Sequence, residues 1–137
     1  PTNLVKLRPA LSFKTKVVYL KRVKAGTPIS YGCTYVTKKE TNIATLGVGY
    51  SHGFSRLLSG RAQVLIRGKR FPVVGRVCMD LTLVDCGDAD IKIGDEVVLI
   101  GSQGEETISA DDIAREMGTI NYEIVCGIGK RVPRIYI

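Results

Sequence analysis

The stretch Leu11-Ser12-Phe13-Lys14-Thr15-Lys16-Val17-Val18-Tyr19-Leu20-Lys21-Arg22-Val23 decides the fold class. Apolar and polar residues alternate around Val17, Val18, Tyr19, Leu20 and Val23, β-branched side chains are concentrated there, and no helical period runs through it. This is the pattern of a strand with one wet face, and Lys14, Lys16, Lys21 and Arg22 supply that face. Working outward, residues 43–48, 62–66, 71–74 and 97–100 are shorter apolar runs separated by glycine-rich or charged turns. Arg67-Gly68-Lys69 reads as the hairpin tip between the second and third of these runs. One helix stands out: Ser109 caps it, Asp111 and Asp112 suit its positive end, Gly118 suits its exit, and Ile113, Ala114 and Met117 share its inward face. Residues 54–58 predict at most one further short turn of helix. Pro133 suits an edge strand. The expectation is a mainly β fold, a small β-barrel-like domain with one or two short helices, with residues 1–137 forming a single domain.

Composition narrows the function classes. The 137 residues suffice for one buried core, and no apolar run approaches the roughly 20 residues a membrane helix needs, so no membrane is expected as a partner. Cys33, Cys78, Cys86 and Cys126 contain no C-x-x-C pair and only one histidine accompanies them, so no metal is expected. Free thiols in a reducing cytoplasm are the simpler reading. A formal net charge of +7 raises the question of nucleic acid. The cations, however, are interleaved with apolar residues as on a solvated strand face, tryptophan is absent, and Phe13, Phe54 and Phe71 make no stacking platform, so no nucleic acid is expected either. The first residues have neither an initiating Met nor the apolar core of a secretory signal, which reads as the start of a fragment.

Four motifs go further than composition. They are Ser30-Tyr31-Gly32-Cys33-Thr34-Tyr35, Gly49-Tyr50-Ser51-His52-Gly53, Gly75-Arg76-Val77-Cys78-Met79-Asp80, and Thr119-Ile120-Asn121-Tyr122-Glu123, the last followed by Arg131-Val132-Pro133-Arg134. In this order and spacing the chain resembles the carboxy-terminal domain of bacterial alanine racemases along nearly its whole length. The resemblance implies a homodimeric, cytoplasmic enzyme that interconverts L- and D-alanine. Its amino-terminal α/β barrel binds pyridoxal phosphate through a lysine, and the carboxy-terminal domain of the partner subunit closes each active site. A barrel of that type takes about 250 residues and does not fit in this chain. The implied cofactor lysine therefore lies outside it, residues 1–10 read as the linker from the barrel, and the chain alone is expected to be inactive.

Racemisation needs two acid/base groups, one on each face of the planar reacting centre. The resemblance assigns one of these roles to Tyr31, acting on the α-proton of the L-enantiomer. It implies that Met79 contacts the substrate, most usefully through its backbone N–H, because a thioether holds an anion poorly. Tyr122 corresponds to a tyrosine that donates its hydroxyl to the cofactor phosphate, and Tyr50, Arg56, Arg76 and Asp80 correspond to residues of the substrate entryway. The second motif departs from the family's usual G-Y-A-D-G, with Ser51-His52 in place of Ala-Asp. This exchanges a carboxylate for a titratable imidazole on a loop expected to be solvated. Gly127-Ile128-Gly129-Lys130 lacks the spacing of a phosphate loop. Two alternatives stay open at this point: a racemase for serine or another amino acid, since discrimination by a methylene or hydroxyl is modest, and a non-enzymatic basic β-barrel interaction module.

Overall fold

In the computed structural model, residues 5–137 are described, so the first four positions of the expected linker lie outside the described residues. The remainder of that linker is exposed and without regular structure. The chain then enters β1 (Phe13–Val23), whose opening residues pair antiparallel with β8 (Glu96–Gln103) and whose closing residues pair with β4 (Thr41–Leu46). A bulge between Val17 and Tyr19 lies at this handover. It breaks the simple alternation: Phe13, Val17 and Val23 are buried, whereas Val18 and Tyr19 both face outward. An extra residue on one strand bends it and increases its twist, and that bend starts the curl of the sheet.

The main sheet runs β6 (Lys69–Pro72), β5 (Gln63–Ile66), β8, β1, β4, β7 (Thr82–Gly87), with β9 (Glu106–Ile108) added to β8. It curls until its two ends meet through a single bridge, Val73 to Val84, and the Val74 N–H donating to the Leu83 carbonyl at 2.9 Å. The fold is thus mainly β and barrel-like, with no continuous ladder closing it. Val17, Leu46, Leu65, Val84 and Val98 fill the interior. The run Val97-Val98-Leu99-Ile100 is buried throughout, as a strand covered on both faces requires.

Helix α1 (Ala110–Met117) forms where its caps predict. The Ser109 hydroxyl accepts from the Asp112 N–H at 3.1 Å, Asp112 accepts from the Ser109 N–H at 2.7 Å, and Gly118 leaves at φ 72°. The segment 54–58 contributes only a 3-10 turn, Arg56–Leu58. The second α-helix is instead α2 (Asn121–Cys126), which has no side-chain cap and is rich in residues of modest helix propensity, so its sequence gives little helical signal. Pro133 corrects another expectation. The chain after Ile128 forms no strand, and its carbonyls at Ile128, Gly129 and Val132 are met by the Arg134 guanidinium.

A second, smaller apolar cluster of Val23, Ile29, Ile43 and Val74 lies under a short hairpin, β2 (Pro28–Ile29) and β3 (Tyr35–Val36). Tyr35 donates its hydroxyl to Asp85 on β7 at 2.8 Å, and Asp85 also accepts from Thr41 Oγ1 and, at 3.0 Å, from the Gly87 N–H. Burial, followed by the bond to Asp85 and its charge, pushes the Tyr35 phenol up to about 12. Burial alone would raise the Asp85 carboxyl as well, but the three hydrogen bonds outweigh it and hold the group below the ordinary carboxylate value. A raised phenol contributes stability that is complete below its unfolded value of about 10 and lost as pH rises above it. A lowered carboxyl contributes above about 4 and loses that contribution as pH falls through its folded value. We therefore expect Tyr35→Phe to remove the latest-ionising class from the phenolate absorbance titration and to flatten the alkaline loss of stability. Asp85→Asn should flatten the acid loss. Wild-type-like titration and pH–stability curves in both variants would show that the pair is not coupled to folding.

Candidate functional site

Three segments that are remote in sequence converge on one face. The first is the turn between β2 and β3. Ser30 (φ 64°), Gly32 (φ 71°) and Cys33 (φ 47°) all lie in the left-handed region, which is costly for residues other than glycine. The turn is held from the third segment: Ser30 Oγ donates to the Arg76 carbonyl at 2.7 Å, and Gly75 leaves room for Ser30, because a Cβ there would sit 2.7 Å from the Ser30 Cβ. The Arg76 guanidinium lies against Gly32, 3.2 Å from where a Cβ would be. Tyr31 rides at the crest of the turn with 73% of its surface exposed.

The second segment is a 3-10 turn, Tyr50–His52. Its Tyr50 N–H donates to the Cys78 carbonyl at 3.0 Å and its Ser51 N–H to the Met79 carbonyl at 2.9 Å. Approach this close is possible because residue 49 is glycine: a Cβ there would sit 2.2 Å from the Cys78 carbonyl oxygen. The Ser51 hydroxyl donates to Asp80 Oδ1 at 2.7 Å, and Asp80 lies 3.9 Å from Arg131. On the other side, Gly129 donates its N–H to the His52 carbonyl at 3.1 Å, and a Cβ at Gly53 would sit 2.4 Å from the Gly127 carbonyl oxygen. The Gly-Ile-Gly-Lys run is thus explained by backbone packing against the 49–53 turn.

The result is an open cleft of about 430 Å³ lined by Tyr31, Tyr50, Arg56, Arg76, Met79 and Asp80. Six of the seven residues singled out in the sequence meet in it. Tyr122 does not: it stands at the start of α2, 74% exposed, and lines a separate depression with Leu11 and Val125. His52 is also outside the cleft lining, and it is partly buried rather than a solvated loop residue. Two guanidinium groups and the phenols of Tyr31 and Tyr50, lining one cleft, suit an anionic ligand, while the one carboxylate accepts from the Ser51 hydroxyl. Among the described residues, Met79 N–H finds no acceptor, so it is free to meet such a ligand. No lysine lines this cleft or the Tyr122 depression among the described residues, so neither offers an amine for covalent attachment of an aldehyde cofactor. The supporting roles of Ser30, Ser51 and the glycines 49 and 75 were not singled out from sequence, although all four stand inside the quoted motifs.

A mainly β domain here gathers two phenols, two guanidinium groups and one carboxylate in a single open cleft suited to a small anionic ligand. The family model described as alanine racemase, C-terminal domain, matches residues 10–136, and the chain belongs to that family. It is 57% identical over 135 residues to the alanine racemase of Halothermothrix orenii, covering 98% of this chain and 36% of that protein. It is 58% identical over 133 residues to the alanine racemase of Symbiobacterium thermophilum, covering 96% of this chain and 35% of that protein. Among solved structures, it superposes with a TM-score of 0.94 at 50% identity on alanine racemase from Bacillus anthracis with bound L-Ala-P, covering 98% of this chain and 34% of that one. The chain thus spans about a third of the length of these relatives.

The glycine contacts predict an order of effects. Gly60 is at φ 66° with nothing within 4 Å of a built Cβ, so Gly60→Ala should cost only the left-handed penalty of about 1–2 kcal/mol. Gly49→Ala carries no such penalty but drives a Cβ into the Cys78 carbonyl, and should destabilise more than Gly60→Ala in urea unfolding. The reverse order would mean that the 49–53 turn yields easily.

Proposed function

We propose that this chain is the carboxy-terminal domain of a pyridoxal phosphate-dependent alanine racemase. In this reading it contributes Tyr31 and part of the substrate pocket to the active site of a partner subunit, and residues 1–10 lead in from the barrel. The observation that carries the proposal is the convergence of Tyr31, Tyr50, Arg56, Arg76, Met79 and Asp80 in one cleft with the Tyr31 ring exposed. An acid/base group so open to solvent can meet a reacting centre held on another surface. Bound through a lysine of the barrel, pyridoxal phosphate supplies an electron sink that makes the α-proton of the amino acid removable.

The work of this domain is then positioning and proton transfer. Tyr31 Oη takes the α-proton from L-alanine and returns one in the opposite direction. The Arg76 guanidinium, packed on Gly32, lines the same cleft as Tyr31. The Met79 N–H addresses the substrate carboxylate, while Tyr50, Arg56, Arg76 and Asp80 narrow the approach. Tyr122, an uncharged donor on a different part of the surface, suits the cofactor phosphate. In this reading the longer protein is a homodimer. A cytoplasmic setting agrees with four free thiols, and D-alanine for peptidoglycan is the corresponding product.

The test is α-proton exchange in the longer protein, loaded with pyridoxal phosphate. Tyr31→Phe should lower exchange from L-alanine by about 10²–10⁴-fold, the usual worth of a positioned acid/base, and exchange from D-alanine by much less. Equal losses from the two enantiomers, or none, would remove Tyr31 from the acid/base role. The 137-residue chain by itself should show no exchange.

A further inference from the structure

His52 is the only histidine of the chain, and the reading of the cleft leaves it without a task. Its geometry gives it one. The Gly49 N–H donates to His52 Nδ1 at 3.1 Å, closing the 3-10 turn from within. An imidazole nitrogen accepts a hydrogen bond only when unprotonated, so this bond requires the neutral ring with its proton on Nε2. Gly49 is also the residue whose backbone lies against the Cys78 and Met79 carbonyls, and the two residues it leads into, Tyr50 and Ser51, donate to those same carbonyls. The acceptor on His52 therefore fixes the start of the turn that sets Tyr50 in the cleft.

We infer that His52 is a positioning residue: its neutral ring holds the Gly49 amide and so places Tyr50, and protonation releases the turn and weakens substrate capture. This inference rests on the racemase reading for its kinetic consequence, but not for its structural half. Once protonated, both ring nitrogens are donors, and Nδ1–H would face the Gly49 N–H. The acceptor next in reach is Ser51 Oγ, 3.4 Å away, whose own proton is directed at Asp80. The ring would thus exchange Gly49 for Ser51 as its partner, leaving the amide unmet and tugging on the hydroxyl that holds Asp80. A carboxylate at this position accepts from the same amide but keeps its charge state across the range in which histidines titrate.

The titratable and charged groups on the surrounding segments are few. Cys78 and Asp80 lie on the strand-like segment beneath the turn, and Tyr50 and Arg56 on the turn itself and the residues that follow it. Glu123 and Cys126 come from α2, and Lys130, Arg131 and Arg134 from the C-terminal segment. Arg134 is engaged with the carbonyls of 128, 129 and 132, and Arg131 lies 3.9 Å from Asp80.

Two measurements test the inference separately from the racemase reading. In the 137-residue chain, nitrogen-15 NMR of the single histidine should show the Nε2–H tautomer. The Gly49 amide and the Tyr50 ring should shift with the same midpoint as His52 when pH is lowered. An Nδ1–H tautomer, or Gly49 and Tyr50 signals indifferent to that titration, would overturn it. In the longer protein with pyridoxal phosphate, kcat/KM for alanine should fall about fivefold as His52 protonates, the factor that one ordinary hydrogen bond is worth, with the change in KM rather than kcat. H52D should abolish that acid limb, while H52F should show the low value at every pH. An acid limb shared by wild type and H52D would overturn the positioning role. If no variant isomerises alanine at all, the racemase reading fails, and the NMR result alone decides whether His52 governs the turn.

Discussion

The structure of the site depends on one contact: the 49–53 turn lying backbone to backbone on residues 78–79. Gly49 approaches so closely that a methyl group would stand 2.2 Å from a carbonyl oxygen, and the next two amides donate to the carbonyls it covers. A contact made of backbone does not vary with rotamer. It brings Tyr50, Met79 and Asp80 together, and the His52 ring closes the turn above it by accepting from the Gly49 N–H at 3.1 Å. The same turn is clamped on its far side by Gly53 against Gly127 and by Gly129 against His52, so the C-terminal segment reaches the cleft through it. Sequence neighbours are not involved: each partner is at least 28 residues from the segment it touches, as Tyr50 to Cys78 shows.

The sheet supplies the platform for this contact. β1 gives one end to β8 and the other to β4, and the bulge at Val18 bends the sheet so that β6 and β7 come within one bridge of each other. The segment joining β6 to β7 carries Gly75, Arg76, Cys78, Met79 and Asp80. Within this segment Val73, Val74 and Val77 are buried, while Arg76, Met79 and Asp80 line the cleft. On the outer face of β1, Lys14 meets Glu96 at 3.3 Å and Arg22 meets Asp88 at 2.9 Å. These are exposed pairs worth little to stability.

What the sequence made legible follows from where the physics is local. Short apolar runs at 43–48, 62–66 and 97–100 mark strands because each is a largely buried pleat, and the caps Ser109 and Gly118 mark α1 because a helix end must satisfy its own backbone. Residues 82–87 were missed as a strand although their burial alternates perfectly, since Asp85 and Cys86 read as polar until Thr41, Tyr35 and Gly87 are seen to satisfy the carboxylate. α2 gives little helical signal because Tyr122, Ile124 and Val125 favour strands and no side chain caps it, and its Ile124 packs into the main core beside α1. At the site, the motifs pointed to Tyr31, Met79 and the arginines. Periodicity could not show that Ser30 supports Arg76 or that Ser51 holds Asp80, because those bonds span 46 and 29 residues.

The turn bearing Tyr31 shows the cost of presenting a phenol in this way. Two residues that are not glycine, Ser30 and Cys33, adopt positive φ within four positions, at about 1–3 kcal/mol each. Such a conformation persists only if its surroundings determine it, and here they do so on both sides. Behind the turn, Ile29 is buried in the smaller apolar cluster and Tyr35 is tied to Asp85, fixing the hairpin at its two ends. Beside it, Ser30 is held by the Arg76 carbonyl, and the Arg76 guanidinium covers Gly32. Arg76 thus links the conformation of the turn to the electrostatics of the cleft. Its backbone carbonyl keeps the strained turn in place, while its guanidinium covers Gly32 and lines the cleft it shares with Tyr31. If Arg76 were replaced by a neutral residue, the carbonyl would still hold Ser30, and the geometry could survive while the charge was lost. The division between backbone and side chain at this single position is what makes the strain and the chemistry separable.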